Sequence, residues 1–106
     1  MSLKVMSKYT FEEKLRYNRE RAKQNDLFAK GYVTGVELYE EYPKSSPMRQ
    51  AEIKEAVDAL KYTAYIMEFS RGAMCGYRDA ANERKAKEKA RTAEREATRA
   101  AERASR

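Results

Sequence analysis

Both prolines of the chain lie in one short segment, 41–47 (EYPKSSP), and this segment limits the fold more than any other. Proline lacks a backbone N–H and disfavours helix in the residue before it, so a helix arriving here ends near Tyr42. Ser46 is a favourable N-cap, and Pro47 then takes the first helical position, where its missing donor has no consequence. The segment therefore predicts the end of one helix and the start of another.

The rest of the chain favours helix throughout. Of its 106 residues, 38% are charged and 42% hydrophobic, with only four glycines, a balance typical of long helices and coiled coils. We expect an all-α fold: a long antiparallel, coiled-coil-like helical hairpin over 10–82, turning at about 42–47. A short N-terminal arm, 1–9, precedes it, and a helical tail rich in Ala, Arg, Glu and Lys, 83–106, follows. Two helices bury each other on one side only, so we expect an oligomeric helical bundle.

The first predicted helix begins with a capping box, in which Thr10 and Glu13 satisfy each other's backbone N–H groups. Alternating spacings of four and three then form a heptad stripe, typical of one uninterrupted helix from Thr10 to Glu41. Its members are Phe11, Leu15, Asn18, Ala22, Asn25, Ala29, Tyr32, Val36 and Tyr39. The two asparagines in the stripe set the helix register or, alternatively, contact a ligand or partner.

The second predicted helix, 47–82, carries a wide apolar stripe. This stripe consists of Ile53, Ala56, Val57, Leu60, Ala64, Met67, Ala73 and Met74, and it is extended by Tyr62, Tyr65 and Tyr77. Its width exceeds what one neighbouring helix covers, which again favours a homo-oligomer, in the first place a dimer.

The glycines form two pairs with a spacing of four, Gly31 with Gly35 and Gly72 with Gly76. A glycine inside a helix costs about 1 kcal/mol relative to alanine, and close approach of a second backbone is the usual compensation. We therefore expect close helix packing, with a ligand-binding notch as the alternative. In a simple hairpin the two pairs lie at different distances from the turn, so they do not face each other. We expect them to meet another helix or another subunit.

The tail has a high helix propensity, with no glycine or proline, and a net charge of +4, from nine Lys and Arg against five Glu in 83–106. Two sets of residues repeat along it: an alanine seam of Ala86, Ala90, Ala93 and Ala97, and an arginine row of Arg91, Arg95, Arg99 and Arg103. Three interpretations compete: a solvated single helix, a close-packed alanine coil with another subunit, and a basic arm that binds nucleic-acid phosphates.

Tyrosine is unusually frequent, with eight residues in a chain that has no tryptophan. Its ring packs at the edge of a core while its hydroxyl stays in water, and it is also favoured at protein interfaces. Tyr39 and Tyr42, close to the predicted turn, are the candidate partner surface.

The sequence lacks the residues that most enzymes need. It has no histidine, no glycine-rich phosphate loop and no nucleophile motif, so we assign no catalytic, cofactor-binding or metal-binding residue. Cys75 is the one cysteine, which excludes an internal disulfide and favours a reduced, cytoplasmic setting. No stretch is apolar enough for a transmembrane helix.

These features favour a non-catalytic helical interaction protein that oligomerises and binds another macromolecule, in the first place another protein. By size and type it compares with accessory or inhibitor proteins of phages and mobile elements. The alternative is a nucleic-acid-binding accessory protein that uses the basic C-terminal helix. A weaker alternative is sequestration of a small anionic ligand between subunits, by tyrosine and arginine.

Overall fold

A computed structural model describes residues 8–105 of the chain. It contains four α-helices, α1 (Phe11–Lys23), α2 (Leu27–Glu41), α3 (Pro47–Thr63) and α4 (Glu68–Ala104), with a 3₁₀ turn at Tyr42–Lys44. No β-strand occurs in that range, and the predicted all-α fold class is confirmed. Most of the predicted N-terminal arm, 1–9, lies outside the described residues.

The two predicted helix starts are confirmed. The Thr10 hydroxyl accepts a hydrogen bond from the Glu13 N–H at 3.2 Å, and the Glu13 carboxylate accepts one from the Thr10 N–H at 3.3 Å. The Ser46 hydroxyl accepts from the Arg49 N–H at 3.3 Å, with Pro47 in the first helical position. Both helix starts depend only on local sequence, because each needs only a side chain that can reach the backbone N–H three residues later.

The expected uninterrupted helix over 10–41 is corrected, because the chain breaks between α1 and α2. Asn25 has a left-handed backbone with φ of 62°, a conformation that asparagine tolerates better than most residues. The Asp26 carboxylate accepts from the Ala29 N–H at 3.0 Å and thereby caps α2. As a result Asn25 is exposed rather than part of a heptad stripe, whereas Asn18 is buried and donates to the Lys14 carbonyl at 2.8 Å.

The expected helix over 47–82 is also corrected, because a second break occurs at 64–67. The Thr63 carbonyl accepts from the N–H groups of both Ile66 and Met67, at 3.1 and 2.9 Å, and Met67 is extended. Across this turn the Thr63 and Ser70 hydroxyls are 2.6 Å apart. Helix α4 then runs through position 83 without interruption, so the predicted boundary between hairpin and tail falls inside one helix.

The pairing of the helices follows from these two breaks. Helix α1 folds back on α2 across the connection 24–26, and α2 packs chiefly on α4, with which it runs parallel. The expected turn at 42–47 leads into α3, which packs on α4 and not along α2. The core lies where α1, α2 and α4 meet and contains Leu15, Tyr32, Val36 and Ala80.

Candidate functional site

The crossing of α2 and α4 is built from the four glycines. A Cβ atom on any one of them would overlap a carbonyl oxygen of the opposite helix. The overlaps are Gly31 with Phe69, Gly35 with Ala73, Gly72 with Phe28, and Gly76 with Tyr32. The expectation that the two pairs do not face each other within one chain is therefore corrected. Because of the break at 64–67, α4 runs parallel to α2, and the two glycine pairs lie opposite each other at the crossing.

A polar link joins three helices beside this crossing. The Tyr32 hydroxyl donates to Asp79 Oδ2 at 2.8 Å, and Lys14 Nζ lies 3.6 Å from the same oxygen. Tyr32 is only 3% exposed, and this burial, together with the neighbouring Asp79 carboxylate, raises the pKa of the phenol well above its ordinary value. The phenol is therefore a neutral hydrogen-bond donor at physiological pH, and the link acts as a structural contact between α1, α2 and α4.

The chemistry available elsewhere in the described residues is sparse. Burial raises the pKa of the half-buried Cys75 thiol, so the thiol stays protonated at neutral pH. Residues 8–105 contain no cluster of three or more histidine, cysteine, aspartate or glutamate side chains suited to a metal ion. Over the same range, no helix has both the length and the apolar character needed to cross a membrane.

The predicted partner residues Tyr39 and Tyr42 are both partly buried by contacts within the chain. The Tyr39 ring lies edge-on to Tyr77, with ring centroids 5.3 Å apart and an angle of 87° between the planes. The Lys54 ammonium lies 5.8 Å from the centroid of the Tyr42 ring. These contacts occupy part of both rings, and their role in binding a partner stays a prediction.

A set of large apolar side chains that the sequence placed elsewhere is exposed at one end of the molecule. Tyr62, Tyr65 and Ile66 are 84%, 88% and 80% exposed, an unusually high exposure for side chains of this size. Three further large apolar side chains are less exposed, those of Leu27, Phe28 and Met67. We call these six residues the end surface: Leu27, Phe28, Tyr62, Tyr65, Ile66 and Met67.

The parallel arrangement of α2 and α4 explains why these residues share one end. The first turn of α2 lies beside the first turn of α4, with the Phe28 carbonyl against Gly72. The turn 64–67 directly precedes α4, and Tyr62 lies in the last turn of α3. The sequence predicted Met67 in a wide apolar stripe of one continuous helix, extended by Tyr62 and Tyr65. The break at 64–67 interrupts that stripe, and all three side chains are exposed.

The opposite end of α4 is an exposed segment, which we call the C-terminal arm, residues 84–105. Its first part, as far as Arg91, lines clefts shared with Phe11, Tyr39 and Pro43. Every residue of the arm is exposed, including the predicted alanine seam and arginine row, Ala86, Ala90, Ala93, Ala97, Arg91, Arg95, Arg99 and Arg103. Its ion pairs are local, such as that of Arg84 with Glu88 at 3.2 Å, and Arg84 also interacts with Tyr39 of α2. Within residues 8–105 every alanine of the seam stays exposed.

Comparison with known protein families, with curated proteins and with solved structures finds no match for this chain. The fold and its surfaces thus define a class, a small all-α protein with an apolar end and a charged helical arm.

Proposed function

We propose that this chain is a non-catalytic, cytoplasmic interaction protein that works by burying its end surface against another polypeptide. Self-association and binding of a separate protein both fall under this proposal. The single observation that carries it is the exposure of Tyr62, Tyr65 and Ile66 together at one end. Nothing within residues 8–105 covers these three side chains.

The amount of exposed apolar surface supports this reading. With about 150–250 Å² for a large side chain, the six residues leave on the order of 600–900 Å² exposed. A contiguous apolar patch above a few hundred Å² is uncommon on a soluble monomer and marks an interaction site. Tyrosine, phenylalanine and methionine, all present in the end surface, are also enriched at protein interfaces, whose centre is depleted of charged residues.

The test is affinity capture from the source cells with three baits. They are the wild-type chain, a double variant Tyr65→Asp with Ile66→Asp, and a control Met48→Asp. Met48 is equally exposed, at 77%, but lies at the start of α3, away from the end surface. We expect wild type and control to retain the same polypeptide, a separate protein or a differently tagged copy of the chain. The double variant should lose it, because burying two carboxylates is strongly unfavourable.

Circular dichroism of all three baits checks that the helices are intact, since the changed side chains are already exposed. If the three baits capture the same polypeptides in equal amounts, the end surface is not the binding site and the proposal is wrong.

Nucleic-acid binding is the second candidate function, and the exposure of the C-terminal arm favours it. The arm carries eight Lys and Arg against four Glu, a net +4, and every one of its residues is exposed. The four arginines of the row, at intervals of four residues from Arg91 to Arg103, drift slowly around the helix and share one side. The interspersed glutamates oppose a phosphate backbone, which is why this function ranks second.

Changing Arg91, Arg95, Arg99 and Arg103 to glutamine tests this alternative. If the arm binds phosphates, binding of labelled DNA or RNA should weaken and its salt dependence should flatten by about 0.9 per lost B-DNA contact. The matched control changes four exposed cations outside the arm, Arg16, Arg19, Lys54 and Lys61, to glutamine and removes the same net charge. We expect fluorescence anisotropy at several salt concentrations to give equal, weak binding for both variants. Sub-micromolar binding lost only in the arm variant would promote nucleic-acid binding to first place.

A further inference from the structure

We infer that the polypeptide covering the end surface is a second copy of this chain, in a two-fold symmetric dimer. The inference rests on the proposed function and names its partner. In such a dimer the same patch is buried on both copies. The end surface of one copy must therefore be complementary in shape and charge to the end surface of the other.

Charge is the first argument for a second copy. The segments that carry the end surface, 26–30 and 58–71, contain three acidic and three basic residues, Asp26, Asp58, Glu68, Lys30, Lys61 and Arg71. Arg21 pairs with Asp26 at 3.1 Å, so this region has a net charge of only about +1 in a chain whose net charge is +6. Two copies can therefore approach here with little repulsion, whereas approach through the two basic arms is opposed.

The size of the surface is the second argument. The exposed area of the end surface, on the order of 600–900 Å², is close to the area that each partner contributes to a standard stable interface, roughly 800 Å². A second copy presents the same composition, two strongly exposed tyrosines beside aliphatic side chains, so tyrosine rings can pack on Ile66 and Met67 across the two-fold axis. The tyrosine hydroxyls then lie at the rim, in contact with water.

Access is the third argument. Helix α4 begins at the end surface and runs away from it, so the charged arm of each copy lies at the far end. A copy seated on the end surface therefore meets neither arm. The end surface is a tip formed by the first turns of α2 and α4 and the turn 64–67, and nothing in residues 8–105 covers it.

Sedimentation equilibrium over a range of concentrations tests the inference. We expect wild type and Met48→Asp to approach twice the chain mass of 12.3 kDa at micromolar concentration. The double variant Tyr65→Asp with Ile66→Asp should be monomeric, its dissociation constant raised about tenfold or more. A dimer of unchanged affinity in the double variant would place the contact elsewhere and overturn the inference.

A spin-label measurement gives an independent readout that does not depend on weakening the dimer. With Cys75→Ala as background, a label at Ala59→Cys, next to the end surface, should report a short, well-defined distance between copies. A label at Ala97→Cys on the arm should report none in the measurable range. The reverse pattern would show an arm-to-arm coil and contradict the inference.

The two proposals fail in distinguishable ways. If wild type is monomeric at millimolar concentration, while affinity capture retains a separate protein that the double variant loses, the partner is not a second copy. The proposed function then stands and this inference is wrong. If the chain neither dimerises nor captures a protein through the end surface, both are wrong.

Discussion

Replacing Gly76 or Gly35 with alanine is expected to lower the free energy of unfolding by about 2–3 kcal/mol. On an isolated helix the same change stabilises by about 1 kcal/mol, since alanine is the better helix former. The sign reverses here because the added Cβ overlaps a backbone carbonyl, of Tyr32 at position 76 and of Ala73 at position 35. A carbonyl held in a helix cannot swing aside, so α2 and α4 must move apart. Urea denaturation, followed by circular dichroism at 222 nm, measures this decrease in the free energy of unfolding.

The control for added bulk is Ala97→Leu on the C-terminal arm, where the side chain is exposed and has no neighbour to displace. We expect its effect on unfolding to be near zero. Glycine variants that match or exceed the stability of wild type would show that the close crossing of α2 and α4 does not exist.

Removing the Asp79 carboxylate by Asp79→Ala is expected to destabilise the protein by about 2 kcal/mol. The change leaves the buried Tyr32 hydroxyl without its acceptor and the Lys14 ammonium without its counter-ion. Tyr32→Phe should have a smaller effect, about 1 kcal/mol, because Asp79 keeps its contact with Lys14. The double variant should be more stable than the sum of the two losses implies, since both changes remove the same hydrogen bond.

Asp58→Ala is the matched control for the loss of an aspartate. Asp58 also pairs with a lysine, Lys61, at 3.6 Å, but both side chains are well exposed. An exposed pair of this kind contributes little, so the control should lie within about 0.5 kcal/mol of wild type. Equal effects of Asp58→Ala and Asp79→Ala in thermal or urea unfolding would contradict a structural role for the three-helix link.

The sequence predicts the local features of the fold well. The Thr10 capping box and the Ser46–Pro47 start are correct because both depend on residues within one helical turn. The break at Asn25 and Asp26 had an equally local signal, a residue that tolerates positive φ followed by a good N-cap. The heptad spacing outweighed that signal in the interpretation, although Asn25 fits an apolar stripe poorly.

The break at 64–67 could not be found in this way. The segment Ala64–Met67 contains neither glycine nor proline, and its neighbours continue the apolar spacing. What favours the break is distant in sequence: α4 must lie parallel to α2 for the glycine pairs to meet. The spacing of Gly31, Gly35, Gly72 and Gly76 therefore predicted a close crossing but not its partner. The end surface, which exists only because of this break, was missed for the same reason.

Helix α4 also determines how far apart two bound molecules would be held. It runs for 37 residues, or about 55 Å, and has neither glycine nor proline after Gly76. With no point at which it bends readily, it acts as a rigid spacer between its first turn and its tip. A molecule on the end surface and another on the last turns of the arm are thus kept apart at a fixed separation.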